Sequence, residues 1–308
     1  MAIVKVQCDN YTWLNLKNPR KEEVSHLANE YKIHHLHLED ALNVKTQTPR
    51  VDSHLDYVHF VFHFPVFDKD DGKIYTAELD AFLKDDFLLT ISTEKIPFLN
   101  RLTKRLKKDK RYTMTVKRSA GVLLYKIVDT GVDWMFDELD RLGGQLNKID
   151  EEIFKVLFRK QAQTIREISL LRRNLVIFQT AIKPQINMVK KMEVGENKGI
   201  TDEMSHYWSS IVDHLQRLDD RAADYRELTE GLSHNLESLL TYKINEIMKV
   251  LTIFSVIMLP LTLLSGIYGM NLSYLPLARH PLAIFLIGLF MLSLVGTMLL
   301  WFKKKNWI

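Results

Sequence analysis

The chain has 308 residues, a formal net charge of +4, and 46% hydrophobic and 26% charged side chains, a balance that excludes a carrier built mostly of membrane spans. Its single cysteine, Cys8, excludes an internal disulfide framework and a cysteine-rich zinc cluster. The stretch MAIVKVQCDNYTW holds no apolar run of signal-peptide length, so the first 240 residues are expected to stay in the cytoplasm.

Residues 1–118 read as a mixed α/β cytoplasmic domain. Asn18 to Glu23 opens a helix with Pro19 in its first turn and acidic residues near its start, and the helix is expected to run to Tyr31. In Val58 to Phe67 the residues Val58, Phe60, Phe62 and Phe64 alternate with His59, Val61 and His63, the period of a strand with one strongly apolar face. Asp68 to Lys73 is a turn into a second strand, Ile74 to Leu83, and Phe87 to Ser92 makes a third. Histidines concentrate between His34 and His63, with His34, His35 and His37 in the run HHLHLED. Their spacing fits no standard zinc motif and no cysteine accompanies them, so ordinary surface and strand histidines are the expectation. Arg101 to Arg118 is basic, but only Tyr112 could stack on a base, so a solvated helix is expected and no nucleic-acid partner.

Residues 119–199 carry Leu, Ile and Val at three- and four-residue spacing, a helical hairpin in which Gly143-Gly144 is expected to loosen the first helix and Pro184 to kink or end the second. Gly195 to Gly199 breaks the pattern. From about Thr201 the sequence then supports one very long helix, of which residues 200–249 form a stalk. Ile211, Leu215, Leu218, Ala222, Tyr225, Thr229, Leu232, Leu236 and Leu239 make a seam that packs on a neighbouring helix. His206, Asp213, Asp220, Glu227 and His234 form a column seven residues apart, which would attract cations if several copies surrounded an axis.

Residues 250–271, VLTIFSVIMLPLTLLSGIYGMN, carry no charge and reach the roughly 20 apolar residues needed to cross a bilayer. Residues 282–303 form a second such run after a short outer loop at 272–281, and 304–308 form a basic tail. Lys243, Lys249, Lys303, Lys304 and Lys305 on one side, against Arg279 alone in the loop, put both termini in the cytoplasm of a multi-pass cell-membrane protein. Asn245, Met248, Leu251, Ser255, Leu259, Thr262 and Gly266 fall on one stripe of the first span, polar at its ends and apolar between. That is the pattern of a pore with a hydrophobic gate, for which several copies are needed.

The segment GIYGMN closing the first of two C-terminal spans, together with NEIMKVLT at 245–252, the step Pro260-Leu261-Thr262 and the tail Lys303 to Trp307, resembles the CorA family of divalent-cation transporters over nearly the whole chain. The resemblance implies a funnel-shaped homopentamer with Gly269, Met270 and Asn271 as its selectivity filter. It further implies Mg2+ as cargo and as regulator, with Co2+, Ni2+ or Zn2+ as alternatives because GMN does not identify the metal. A ring of neutral amide and carbonyl oxygens suits an ion that keeps its waters. The segment Leu38 to Asn43 is similar to a cytoplasmic motif of the family whose acidic pair binds regulatory magnesium between subunits; Glu39 and Asp40 match it, and Asp129 and Asp213 complete the implied set. Ser210 stands where relatives commonly offer another aspartate. No GxxxxGK[ST] loop and no nucleophile with a base at recognisable spacing is present, so neither an enzyme nor an organic cofactor is expected. A membrane-tethered scaffold that oligomerises without conducting is the alternative from another class.

Overall fold

The computed structural model describes residues 2–7, 10–42, 47–84, 86–93, 95–109, 112–113, 116, 118–153, 161–194, 204–271, 275–276 and 281–307. It divides into two compact units, Met1–Ser233 and His234–Ile308.

The first unit is built on a six-stranded sheet of β1 (Ala2–Gln7), β2 (Thr12–Lys17), β3 (Arg50–Ser53), β4 (Val58–Phe67), β5 (Ile74–Lys84) and β6 (Phe87–Ser92), in the order β1-β2-β6-β5-β4-β3. All neighbours are antiparallel except β2 and β6, which pair parallel from Thr12↔Phe87 to Lys17↔Ser92. The expected run of three strands is therefore the middle of a larger mixed sheet.

Helices cover both faces, so every residue of β4 except Phe67 is buried. On one face lie α1 (Lys21–Tyr31) and α2 (His35–Asp40), packed over Leu14, Leu16, Phe82, Phe87, Leu89 and Ile91, with Tyr31 stacked on Phe87 at 4.0 Å. Helix α1 begins later than the sequence suggests. Asn18 sits at φ 46° and gives its N–H to the Ser92 carbonyl at 2.7 Å, so it extends the β2–β6 pairing by one bond and leaves Pro19 outside the helix. The start is instead fixed by the Glu23 carboxylate, which accepts from the Arg20 N–H at 3.1 Å.

On the other face lie α3 (Pro97–Lys108), α4 (Ala120–Ile153) and α5 (Gln161–Glu193). Two amide side chains of α5 fasten it to the sheet. Asn174 accepts from the Ile74 N–H at 2.9 Å and donates to the Gly72 carbonyl at 2.9 Å, closing the β4–β5 turn. Gln185 accepts from the His63 N–H at 3.1 Å and donates to the His63 carbonyl at 2.8 Å. Strand β3 pairs only as far as Val61, so Gln185 supplies the partner that the β4 edge lacks beyond it.

Gly143-Gly144 and Pro184 both lie inside unbroken helices. Gly143 is a contact: a methyl group there would stand 2.5 Å from the Tyr225 hydroxyl, so glycine lets α6 (Ser205–Tyr268) approach α4. Gly131 serves the same end against Phe64. The glycine break at 195–199 lies outside the described residues.

Helix α6 has 64 residues, about 95 Å at 1.5 Å per residue, and is unbroken at Pro260. The start of its seam is closed within the first unit: Ile211, Leu215, Leu218 and Ala222 are buried, and Arg221 pairs with Asp140 at 2.5 Å. In the second unit α7 (Ala283–Lys304) lies beside α6, with Leu261 and Ser265 facing Met291, Leu292 and Val295 across a cleft of about 430 Å³. Both helices are long and apolar enough to cross a membrane.

Candidate functional site

All seven stripe residues, Asn245, Met248, Leu251, Ser255, Leu259, Thr262 and Gly266, are exposed in the single chain. At 100° per residue they occupy a face turned from the one that Leu261 and Ser265 give to α7, with Thr262 bordering both. Ser255, Leu259, Thr262 and Gly266 line an open groove of about 710 Å³ that ends at Met270. Its wall has no charged side chain. The Thr262 hydroxyl donates to the Met258 carbonyl at 2.8 Å, which leaves its oxygen lone pairs facing outward as acceptors.

The helix closes on short bonds, Gly269 N–H to the Ser265 carbonyl at 2.9 Å and Met270 N–H to the Ile267 carbonyl at 3.2 Å. Gly269 is not left-handed, so it is not the usual glycine stop of a helix. Instead its backbone is crowded: a Cβ would lie 3.1 Å from the Ser265 carbonyl. Gly269, Met270 and Asn271 are all exposed at the end of the groove.

The four acidic candidates stand apart. Glu39 is exposed on α2, and Asp40 has Arg50 Nη2 3.9 Å from its carboxylate, while Arg50 Nε bonds Asp52 at 2.7 Å. Asp129 accepts from Lys126 Nζ at 3.0 Å. Partial burial opposes the Lys126 charge, but the hydrogen bond and charge of Asp129 more than offset it and raise its pKa. Burial and the neighbouring Asp129 also raise the Asp133 carboxyl. Asp213 and Ser210 are exposed on α6, as is the whole column His206, Asp213, Asp220, Glu227 and His234. Among the described residues of one chain, no three His, Cys, Asp or Glu side chains are arranged to hold a metal ion.

Four of the histidines concentrated between His34 and His63 do gather, although no standard spacing links them. His37 lies 4.4 Å from His54, 5.4 Å from His34 and 5.9 Å from His59, ring centre to ring centre. The His37–His59 pair is stacked, so those ring edges run alongside each other instead of converging on one point, and Tyr57 OH holds His37 Nδ1 at 2.7 Å. Beneath them His59 Nε2 and Asp80 meet at 2.8 Å, both buried. Burial pushes His59 down to about 4, whereas burial and Glu78 raise Asp80 well above the carboxylate range. The basic segment is also structural: Arg101 lies over Trp134 at 5.2 Å and Arg105 over Tyr112 at 4.1 Å.

A long helix with an uncharged exposed stripe and a second apolar helix beside it, each long and apolar enough to cross a membrane, are the elements of a membrane-spanning protein. The sequence model of the family described as CorA-like Mg2+ transporter protein matches residues 9–304, and the chain belongs to that family. It is 30% identical to the cobalt/magnesium transport protein CorA of Thermotoga maritima, over 96% of this chain and 83% of that one. The complete structure of the CorA magnesium transporter from Methanocaldococcus jannaschii superposes with a TM-score of 0.87 at 26% identity, covering 100% of this chain and 95% of that chain. A zinc transport protein ZntB of Pectobacterium carotovorum is 22% identical over 74% of this chain and 67% of its own length.

Proposed function

We propose that the protein is a homopentameric Mg2+ channel of the cell membrane, with both termini cytoplasmic, in which the stripes of five α6 helices face one axis. The observation that carries this reading is the continuous exposure of Asn245 to Gly266 on a face that α7 leaves uncovered, leading without a charged side chain to Gly269-Met270-Asn271. Five Asn271 amides would accept hydrogen bonds from the water shell of an ion that dehydrates reluctantly. Met248, Leu251 and Leu259 would form an apolar constriction that closes by dewetting. With the inside negative, a divalent ion gains roughly 4.6 kcal/mol per 100 mV on entry, so uptake needs no nucleotide. Internal Mg2+ binding at Glu39, Asp40, Asp129 and Asp213 between subunits would hold the ring shut; exposure of Asp213 one turn from Ser210 lets it replace the missing carboxylate.

The ZntB likeness favours a second reading, zinc as cargo, with Co2+ and Ni2+ also in range. Mg2+ flux into liposomes holding the purified protein, with Zn2+ and Co2+ as competitors, separates the two. Asn271→Ala should assemble normally yet lose selective Mg2+ flux; selective uptake by a well-assembled variant would remove Asn271 from the filter.

A further inference from the structure

The exposed residues of α3 are all basic. Phe98, Leu99, Leu102 and Leu106 are buried in the first unit, while Arg101, Lys104, Arg105, Lys107 and Lys108 stand exposed. At 100° per residue, Arg101, Lys104, Arg105 and Lys108 occupy about 100° of the helix circumference, in a row about 10 Å long. Both arginines are held in place, Arg101 over the Trp134 ring of α4 at 5.2 Å and Arg105 over Tyr112 at 4.1 Å. A guanidinium stacked by its face keeps the N–H groups of its edge for an acceptor. Among the described residues none of the five basic side chains forms an ion pair with a carboxylate. Asp109, which follows them, accepts from the Tyr112 N–H at 3.1 Å. Asp133 and Asp137, the carboxylates of α4 nearest Trp134 in sequence, pair with none of them.

Such a row suits an anion, and its surroundings narrow the kind. A single-stranded nucleic acid needs open rings on which its bases stack, whereas Trp134 and Tyr112 each have a guanidinium over the ring. A helix that lies on an anionic bilayer inserts apolar side chains among the headgroups, whereas those of α3 are buried in its own fold. A lone phosphate is too short to meet more than adjacent members of the row. We infer that this face of α3 binds a linear oligophosphate, a chain of linked phosphoryl groups, free or as the tail of a nucleotide. Arg101 and Arg105 take phosphoryl oxygens through paired N–H bonds, and Lys104 and Lys108 neutralise the charge that remains. This stands independently of which ion the protein carries and of how its pore is built.

The test is isothermal titration calorimetry of the full-length protein in detergent with inorganic tripolyphosphate, divalent ions being removed because they bind the same chain. Wild type should bind tripolyphosphate roughly tenfold more tightly than orthophosphate, through the additional ion pairs. ATP should bind about as well as tripolyphosphate, since neither ring is open to its base. Lys104→Gln with Lys108→Gln should weaken tripolyphosphate binding by up to about thirtyfold, about fivefold for each exposed ion pair lost. Lys190→Gln with Lys191→Gln removes the same exposed charge from α5 and should leave binding unchanged. Should the α3 pair fail to assemble, Lys104→Gln alone carries the test, with a loss of about fivefold expected. Tripolyphosphate bound no better than orthophosphate, or equal losses from the two lysine pairs, would overturn the site. So would displacement of tripolyphosphate by poly-glutamate, which would make the face a dock for acidic protein, or by phosphatidylglycerol, which would make it a membrane contact. ATP bound far more tightly than tripolyphosphate would show that a base is read and would overturn recognition of the phosphate chain alone.

Discussion

Helix α6 solves the same problem in two opposite ways along its length. Between Ile211 and Ala222 its apolar seam is closed by its own chain, with Leu215 and Leu218 at 1% and 0% exposure. Between Leu251 and Leu263 comparable leucines stand open, Leu251 at 55% and Leu259 at 71%. Each segment carries leucines on one stripe; what separates the fate of those leucines is whether helices of the same chain cover them. A seam closed within one chain gives that chain stability, whereas an open apolar face of this size marks a surface that bilayer or further copies must cover.

The largest test of that contrast is a matched pair of truncations. Leu218→Ala removes a fully buried side chain and should cost about 3 kcal/mol, lowering the thermal midpoint of the full-length protein by several degrees. Leu259→Ala should cost less than about 1 kcal/mol, since its side chain has little protein around it to lose. Equal losses would show that the two segments are packed alike.

A second test uses polar groups buried in the first unit. His59 stays neutral in the fold down to about 4 but takes a proton near 6.5 when unfolded, so its contribution to stability falls as pH drops from 6.5 toward 4. Asp80 works the other way. Its raised carboxyl keeps a proton in the fold that the unfolded chain releases above about 3.8, so its contribution falls as pH rises. Because the two linkages oppose each other, wild type should respond to pH less steeply than His59 alone would make it. Asp80→Asn deletes one side of this balance. It should therefore lose up to about 3 kcal/mol between pH 6.5 and 4 that wild type keeps, read as diverging thermal midpoints. Parallel pH profiles would refute the opposed linkage.

The open half offers the third test. If Leu259 belongs to an apolar constriction, Leu259→Asn should wet it and raise Mg2+ flux several-fold at high internal Mg2+, where wild type is shut. Flux as low as that of wild type would take Leu259 out of the gate.

These contrasts were unequally legible in the sequence. The strand Val58–Phe67, the seam of α6 and the two apolar runs all follow from local periodicity, and the structure has each of them. What periodicity could not supply were pairings over long separations. Residues Gln185 and Asn174 read as polar positions in a helix, yet they complete strands 122 and 100 residues away. The His37, His54 and His59 stack comes from α2, the β3–β4 turn and β4, which no spacing rule links. Gly143 and Pro184 misled because local preference favours a break there, while packing against Tyr225 and the surrounding helix decides otherwise. The stripe and the GMN end were readable as a pattern, but that α7 leaves them uncovered is a fact of packing.

The smallest effect concerns the acidic side chains that Mg2+ would occupy. Asp129 already holds Lys126 at 3.0 Å, and Asp40 has Arg50 at 3.9 Å, so an arriving ion meets carboxylates that carry a cation from their own subunit. Both pairs are partly exposed, where such an ion pair contributes roughly 0.2–1 kcal/mol. Binding must displace or share that partner, which weakens apparent affinity by no more than about fivefold. Lys126→Met keeps the length of the side chain and removes its charge. If Asp129 belongs to the regulatory set, half-inhibition of flux should then occur at up to about fivefold lower internal Mg2+. Asp129→Asn in the same background should abolish the shift, since no carboxylate would remain for the lysine to shield. An unchanged inhibition curve in Lys126→Met would mean that Asp129 takes no part in sensing. A curve moved to higher Mg2+ would mean that the lysine helps to build the site instead of competing for it.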